Sequence, residues 1–136
     1  MAEENYKHSE ITDLIIKAFY TVYNTLGYGF LEKVYENAMV IELKKLGLNA
    51  VAQNPVKVYY YEHQVGAYFS DLLVENCVIV EIKTADGISS ENEAQLVNYL
   101  KATKIEVGLL LSFGKKAQFK KKAFSNEFKE WNMVAD

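Results

Sequence analysis

Three charged residues lie where two short apolar strands are expected. In the stretch F-S-D-L-L-V-E-N-C-V-I-V-E-I-K, residues 69–83, two apolar runs flank a turn at residues 75–76. Short β-branched runs bounded by turn residues are typical of strands buried on both faces. Asp71 lies on the first strand, and Glu81 and Lys83 share one face of the second. Antiparallel pairing around the turn sets Asp71 opposite Glu81 or one residue out of register.

Two carboxylates and one ammonium group therefore converge on one small patch. Charged groups on core strands are costly unless they are paired or bind a metal. Adjacent carboxylates also repel each other and raise a pKa unless a cation lies between them. A hard cation such as Mg2+ suits this set, because it takes one or two carboxylates and keeps several waters. The alternative is a structural ion pair, in which Lys83 neutralises Glu81 and Asp71 faces solvent.

The composition is typical of a soluble globular protein. Of the 136 residues, 50% are hydrophobic and 24% are charged, which predicts one domain spanning residues 1–136 with its own core. No apolar run reaches the length of a transmembrane helix. The N-terminal stretch M-A-E-E-N-Y-K is acidic and polar, unlike a signal peptide. A cytoplasmic protein without membrane contact is expected, with Cys77 inside the second strand as a buried small hydrophobe.

The distribution of charge matters more than its sum. A net charge of −3 excludes a generally basic nucleic-acid binder. The chain has no arginine, so phosphate contacts must use lysine as a point charge. The candidates for such contacts form a lysine cluster near the C-terminal end. This cluster is either a solvated surface or a basic rim for a phosphate backbone. The cluster consists of Lys115, Lys116, Lys120, Lys121 and Lys122.

Two amphipathic helices are predicted before the strands, at residues 9–26 and 30–46. The apolar stripe of the second helix consists of Leu31, Val34, Tyr35, Ala38, Ile41 and Leu46. Glu32 lies in its first turn, where an acid also suits the helix dipole. A glycine-rich break at residues 27–29 ends the first helix, and Gly47 ends the second.

The strands and a third helix follow. A strand at residues 50–61, interrupted near Pro55, precedes a turn at residues 62–64 and the strand that carries Asp71. The third helix runs from about Glu91 to Thr103 with Ser90 as its N-cap. On this helix Gln95 and Tyr99 are neighbours at the i, i+4 spacing and flank the apolar face.

The remaining chain completes a mixed sheet. The leucine-rich stretch at residues 107–113 predicts a fully buried, parallel strand. Residues 115–136 predict a short strand or turn followed by a terminal helix. The order α-α-β-β-β-α-β plus a C-terminal tail predicts an α/β fold of mixed α+β character, in which helices flank a mixed β-sheet.

These residues resemble a known family. Asp71, then E-I-K at residues 81–83, then Q-x-x-x-Y at residues 95–99 resemble the PD-(D/E)XK nuclease superfamily, and more narrowly its RecB-like branch. The stretch G-F-L-E-K-V-Y at residues 29–35 is similar to the signature of the small bacterial GxxExxY family. The resemblance extends over residues 11–124 and implies a restriction-endonuclease-like core.

The resemblance implies a metal-dependent nuclease. Asp71 and Glu81 would bind Mg2+ or Mn2+ together with the carbonyl of Ile82. Glu32 would be a third acid, which touches the metal directly or through water. Lys83 would orient or help deprotonate the attacking water and stabilise the charge that develops on the phosphate.

Substrate contacts are implied as well. Gln95 would hydrogen-bond near the metal, the water or a phosphate, and Tyr99 would brace the helix or contact the nucleic-acid backbone. The lysine cluster would contact a nucleic-acid substrate, for which DNA is expected, with a homodimer or an accessory protein as sources of further grip. The chain has Phe69-Ser70 where relatives carry Arg-Ala, and Asn92 where they carry His. These departures affect substrate contacts and leave the metal-binding set intact.

The same residues are also compatible with two other functions. The first is a non-catalytic module that binds nucleic acid or protein and has kept the charged residues as structure. The second is a structural protein in which Asp71, Glu81 and Lys83 form a buried ion network. Metal or a chelator would leave the stability of such a network unchanged, whereas metal at a binding site stabilises the fold by mass action.

Overall fold

A central sheet with helices on both faces makes up the fold. The computed structural model describes residues 8–131 and 133–134, and the N-terminal stretch examined above for a signal peptide, residues 1–7, lies outside them. The helices are α1 (Ser9–Leu26), α2 (Glu32–Lys45) and α3 (Ser90–Ala102), and the strands are β1 (Ala50–Tyr60), β2 (His63–Val74), β3 (Val78–Lys83), β4 (Val107–Phe113) and β5 (Ala117–Ala123). A 3-10 turn at Asn126–Phe128 follows β5. None of the described helices is both long and apolar enough to cross a lipid bilayer.

The strands form one mixed sheet in the order β1-β2-β3-β4-β5. β3 and β4 run parallel, and the other neighbouring strands are antiparallel. A parallel pair needs a crossover connection, which α3 supplies. The predicted mixed sheet flanked by helices is confirmed, and so is the buried strand at residues 107–113 with its parallel pairing.

The two faces of the sheet are covered by different helices. α1 and α2 pack on the face that carries Val80 and Ile82, whereas α3 packs on the face that carries Ile79. Because successive side chains of a strand point to opposite faces, Glu81 and Lys83 share the α3 face with Ile79. The sheet therefore presents both charged residues of β3 towards α3.

Several boundaries differ slightly from the sequence prediction. Cys77 is half-buried and lies in the turn before β3, not inside the strand, because the turn spans three residues, 75–77, between the paired Val74 and Val78. The Cys77 N–H donates to the Val74 carbonyl at 3.0 Å. The N-cap of α3 is Ser89, one residue earlier than predicted, since its side chain accepts from the N–H of Asn92. His63, expected within a turn, begins β2 and is exposed.

The C-terminal segment does not form the predicted terminal helix. Among its described residues, β5 is followed only by the 3-10 turn. Lys129 explains the difference, because its side chain is buried and donates to the carbonyls of Thr103 and Ile105, both at 2.7 Å. These long-range bonds hold the segment against the C-terminal end of α3. For the segment directly after β4 the sequence predicts either a short strand or a turn. The structure has a strand there, β5, which forms the edge of the sheet beyond β4.

α2 buries Tyr35 of its predicted apolar stripe but leaves other members of that stripe exposed. Leu31 and Ile41 are 80% and 59% exposed, while Tyr35 and the charged Glu36 are buried. The ring of Tyr35 stacks on Phe113, with 4.2 Å between ring centroids and 21° between planes. This aromatic pair, worth about 0.5–1.5 kcal/mol beyond its buried area, favours the rotation of the helix that buries Tyr35.

The hydroxyl of Tyr35 fixes the loop that leads into α2. It donates to the Gly27 carbonyl at 2.7 Å and accepts from the Phe30 N–H at 3.2 Å. Tyr35→Phe removes both bonds, so we expect the free energy of unfolding to fall by about 1–3 kcal/mol. Chemical denaturation measures the change. The exposed Tyr28 is the control: Tyr28→Phe should be neutral, and an equal loss in both variants would contradict this role.

β1 and β2 form a long hairpin that extends past the rest of the sheet. β1 pairs with β2 along almost its whole length, whereas β3 pairs only with the last three residues of β2, Leu72–Val74. The free end turns at Tyr61 and Glu62, whose φ angles are 47° and 70°. Two consecutive residues with positive φ match the type I′ turn of a two-residue hairpin.

Candidate active site

The candidate site lies where β2 and β3 separate. Their backbone pairing ends at Leu72 and Val80, and the next pair in the same register is Asp71 and Glu81. There, the Asp71 N–H donates to Oε2 of Glu81, and the Ile82 N–H donates to Oδ2 of Asp71, each at 2.7 Å. Carboxylate oxygens thus take the acceptor role of backbone carbonyls, and the two acids lie side by side on adjacent strands.

Burial and mutual repulsion change the protonation of this pair. Glu81 is 4% exposed, and burial, followed by the charge of Asp71, raises its pKa from 4.5 to about 7. The Asp71 N–H and the charge of Lys83 act in the opposite direction. Burial also raises the pKa of Asp71, against the hydrogen bond from Ile82. A cation between the two acids would favour their charged forms and relieve this repulsion.

Lys83 completes the set of three charges without closing an ion pair. It follows Glu81 by two residues on β3 and is half-buried. Its charge lowers the pKa of both Asp71 and Glu81. Within residues 8–131 and 133–134, however, no salt bridge joins its amine to either carboxylate. The geometry therefore differs from a structural ion pair of Lys83 with Glu81.

Two acids of α2 act on the pair of Asp71 and Glu81, and they differ in burial. Glu32, the third acid that the family resemblance implies, is exposed in the first turn of α2, and its charge is only a minor cause of the raised pKa of Glu81. Glu36, one turn later, is 4% exposed, and its charge raises the pKa of Asp71. The sequence does not single out Glu36, because nothing in the helix pattern indicates that a charged residue is buried.

Glu36 is held by partners from two elements. Its carboxylate accepts from Nζ of Lys33 at 3.0 Å and from Nε2 of Gln53 at 3.1 Å. Gln53 has a φ of 54° in the middle of β1, and the flanking pairs leave it opposite Asp71 without a partner of its own. The interruption that the sequence predicts near Pro55 is therefore a left-handed residue two positions earlier, whose side chain anchors the buried acid.

α3 places Gln95 and Tyr99 beside the carboxylates. Nε2 of Gln95 donates to the Tyr99 hydroxyl at 3.1 Å. Burial, then the charges of Glu81 and Asp71, raise the pKa of Tyr99 to about 12, so its hydroxyl stays protonated. The ring of Tyr68, a residue of β2 that no sequence motif indicates, lies 5.7 Å from the ring of Tyr99, measured between centroids.

The lysine cluster does not act as one basic rim. Lys120 and Lys122 point to the α3 face, where both pair with Glu93, at 3.0 Å and 2.6 Å. Hydrogen bonds from Lys122 and Lys120 hold the pKa of Glu93 below its usual value. The three side chains together carry a single net positive charge, so two of the five predicted phosphate contacts are partly neutralised by α3.

The other three lysines lie elsewhere. Lys121, between Lys120 and Lys122 on β5, points to the opposite face of the sheet, with its Nζ 3.5 Å from the hydroxyl of Thr12 in α1. Burial lowers the pKa of Lys121. Lys115 and Lys116 are exposed in the turn that leads into β5. Within this cluster, therefore, Lys120 and Lys122 contact α3, whereas the turn with Lys115 lies against Tyr23 of α1.

This division makes a prediction about salt dependence. Replacing both Lys120 and Lys122 with Gln should weaken nucleic-acid binding and reduce the slope of log K against log salt concentration by about 1 per lysine. Glu93→Gln should strengthen binding, because it releases both amines. Fluorescence anisotropy with a labelled oligonucleotide over a salt series measures the slopes. Lys121→Gln is the matched control on the opposite face of the sheet. A slope change per lysine as large as that of the double variant at Lys120 and Lys122 would contradict the assignment of Lys121 to the opposite face.

The oxygen ligands of the site fit a hard divalent cation. Within the described part of the chain, no group of three or more His, Cys, Asp and Glu side chains is arranged to hold a metal ion. Mg2+, however, commonly takes one or two carboxylates and completes its shell with water. Asp71 and Glu81 supply two carboxylates, each with one oxygen engaged by a backbone N–H. Burial is the largest cause of the raised pKa of both acids, ahead of the charges around them, and a bound cation would favour their ionised forms.

Comparison with known proteins agrees with this arrangement. The model of the PD-(D/E)XK nuclease superfamily matches residues 9–123, from the start of α1 to the end of β5. This chain belongs to the PD-(D/E)XK nuclease superfamily. Membership accounts for the mixed sheet flanked by helices and indicates a nuclease-like protein. The matched range contains Asp71, Glu81 and Lys83.

Other comparisons add little to the PD-(D/E)XK assignment. The crystal structure of SSO0001 is similar over 89% of this chain, with a TM-score of 0.49 and 16% sequence identity. This chain spans 60% of that protein's length. No curated protein matches the chain.

Proposed function

We propose that this PD-(D/E)XK protein hydrolyses phosphodiester bonds of nucleic acid in a reaction that requires a divalent cation. The observation that supports it best is the side-by-side pair of the half-buried Asp71 and the buried Glu81, at the point where β2 and β3 separate. Buried like charges without a salt-bridge partner are costly to keep unless a ligand uses them. Placement in the GxxExxY family and the RecB-like branch belongs to the same proposal, as does a single domain spanning residues 1–136.

In this proposal Asp71, Glu81 and the Ile82 carbonyl hold Mg2+ or Mn2+. The exposed Glu32 contributes directly or through water. When bound, the cation lowers the pKa of a bound water and polarises the phosphoryl oxygen. Glu36 stays outside the metal ligands, since its oxygens already accept from Lys33 and Gln53.

The remaining groups handle the water and the phosphate. Lys83 orients the attacking water and offsets the negative charge that develops on the phosphoryl oxygens. Gln95 donates one N–H of its side-chain amide to the Tyr99 hydroxyl. Its carbonyl oxygen or its second N–H then forms a hydrogen bond with the water or a phosphate. Tyr99 stays protonated, accepts from Gln95 and braces α3 against the carboxylates.

Substrate grip is the weaker part of the site. Lys115 and Lys116 are exposed, but Lys120 and Lys122 share their charge with Glu93, and Lys121 points away. DNA is the expected substrate, and a homodimer or an accessory protein would supply contacts that the chain lacks. The same charge balance favours one competing function, a non-catalytic module that binds nucleic acid or protein.

A cleavage panel separates the two functions. Purified protein is incubated with labelled single-stranded and double-stranded DNA and RNA, in Mg2+, in Mn2+ and in EDTA. The nuclease proposal predicts cutting of at least one substrate with metal and none in EDTA. Metal binding seen by calorimetry without cutting on any substrate would favour the binding module. Cutting that persists in EDTA would contradict a metal-dependent reaction.

A further inference from the structure

A second aromatic ring lies at the exposed side of the candidate site. Tyr68, three residues before Asp71 on β2, is 49% exposed, whereas Tyr99 is 5% exposed. Their ring centroids are 5.7 Å apart, and the planes are tilted by 45°. Tyr99 is also near Asp71 and Glu81, since both charges act on its hydroxyl. The two tyrosines therefore form a pair whose buried member borders the carboxylates and whose exposed member faces solvent.

Tyr68 reaches this position because the hairpin coils. Strict alternation from Leu72, which packs against α1 and α2, would turn Tyr68 to that same face. Its partner across the hairpin, Val56, instead packs in the α3 cluster together with Tyr99. The left-handed Gln53 lies between the two regions of β1. The free half of the hairpin thus coils over α3 and carries Tyr68 to the site.

The strand surface beside the Tyr68 ring is bare. Gly66, two residues earlier on the same face of β2, does not have a positive φ, so backbone freedom does not explain the glycine. A Cβ at this position would lie 3.4 Å from Cε2 of Tyr68 and 3.5 Å from Cβ of Val58. Glycine inside a strand weakens it and often marks a close approach by a ligand. The missing Cβ of Gly66 therefore lets the edge of the Tyr68 ring lie close to the strand backbone.

We propose that Tyr68 stacks on an unpaired base of the nucleic acid, next to the phosphate that the carboxylate pair addresses. The inference rests on the proposed nuclease function and specifies its substrate class as single-stranded or locally unpaired nucleic acid. A base inside a duplex is covered by its neighbours on both faces, so only an unpaired base can lie on the ring. Stacking needs no charge, which suits a chain of net charge −3 whose lysines on the α3 face are shared with Glu93.

A binding measurement tests the inference without cleavage. All proteins carry Asp71→Asn, and the probes are a short fluorescein-labelled single-stranded DNA oligonucleotide and the duplex of the same sequence. Tyr68→Leu should weaken binding of the single strand by about 5- to 100-fold, whereas Tyr68→Phe, which keeps the ring, should bind like the parent. Tyr61→Leu is the matched control, because this tyrosine is 62% exposed at the far end of the hairpin.

An abasic scan locates the contact. One abasic nucleotide is moved along the single strand, and at one position it should cost as much affinity as Tyr68→Leu. The two losses should not add at that position, because both remove the same stacked pair. Equal losses for Leu and Phe, no loss for Leu, or equal weakening of the duplex would overturn the inference. Conversion of a dimer to a monomer by Tyr68→Leu in size-exclusion chromatography would also overturn it.

The nuclease proposal can fail separately from the stacking inference. Cleavage is measured on the protein with Asp71 intact, using the same single strand and Mg2+. A protein that binds through Tyr68 but does not cut would remove the nuclease proposal and leave the stacked base in place. A protein that cuts while Tyr68→Leu binds and cuts like wild type would remove the stacking and leave the nuclease.

Discussion

Lys83→Ala should lower the rate of metal-dependent cleavage by about 10²- to 10⁴-fold, the range for losing a group that activates a nucleophile or stabilises developing charge. The protein should stay folded, since no described salt bridge depends on the Lys83 amine. Metal binding should persist, because the carboxylates of Asp71 and Glu81 remain and lose a nearby positive charge. Single-turnover cleavage and calorimetric titration with Mg2+ measure the two effects separately.

The control for Lys83 is a lysine that is remote from the carboxylates. Lys17 is exposed on α1, on the opposite side of the sheet, and Lys17→Ala should cut at the wild-type rate. Lys83→Ala that cut as fast as Lys17→Ala would remove Lys83 from the mechanism. Loss of Mg2+ binding in Lys83→Ala would instead mean that the lysine supports the fold of the metal site.

Glu81→Gln should stabilise the protein in EDTA at high pH, although it destroys the proposed metal site. The buried Glu81 carboxyl has a pKa of about 7, and the unfolded chain releases the same proton near 4.5. Between these pH values the folded state binds more protons, so the free energy of unfolding of wild type falls as pH rises. Above about pH 7 the full penalty of an ionised Glu81 is present, on the order of 3 kcal/mol. An amide avoids this penalty.

Denaturant unfolding in EDTA over a pH series measures the effect. Glu81→Gln and wild type should be similar in stability below about pH 4.5, and the variant should be the more stable above about pH 7. Adding Mg2+ should then stabilise wild type more than the variant, because the cation binds the ionised pair. The exposed Glu62 gives the control, as Glu62→Gln should leave the pH dependence unchanged. A variant less stable than wild type at high pH in EDTA would contradict the penalty that burial and the charge of Asp71 impose on an ionised Glu81.

Local patterns were sufficient for most of the fold. The spacing of apolar residues predicts α1 with the bounds that the structure has, Ser9–Leu26. The two apolar runs around residues 75–76 predict the hairpin that brings Asp71 and Glu81 together to within one residue of register, and the pairing of Val74 with Val78 places the two acids directly opposite each other. The run of leucines at residues 107–113 predicts a strand covered on both sides, which β4 is.

The parts that depend on distant partners were not predictable in this way. Glu36 looks like a surface residue of α2, and only Gln53 of β1 and Lys33 make its burial tolerable. The aromatic spacing after β5 suggests a helix, but Lys129 ties that segment to the end of α3.

The orientation of the lysines on β5 and the position of Tyr68 also depend on distant parts of the fold. Consecutive lysines look like one solvated cluster, yet β5 sends Lys120 and Lys122 to Glu93 and Lys121 to the opposite face. Tyr68 follows from the coiling of the hairpin, which reverses the face that simple alternation assigns. No pattern within either strand contains this information.

Cleavage by wild type and by Asp71→Asn, purified identically and compared in Mg2+, tests the proposed metal-dependent hydrolysis most directly. Asp71→Asn keeps the side-chain shape and an oxygen that can accept from Ile82, while it removes one of the two paired charges. The proposal predicts that wild type cuts at least one nucleic acid in Mg2+, that EDTA stops the reaction, and that the variant cuts at least about a hundredfold more slowly. Equal cutting by both proteins would contradict a catalytic role for the carboxylate pair and would point to a contaminating nuclease.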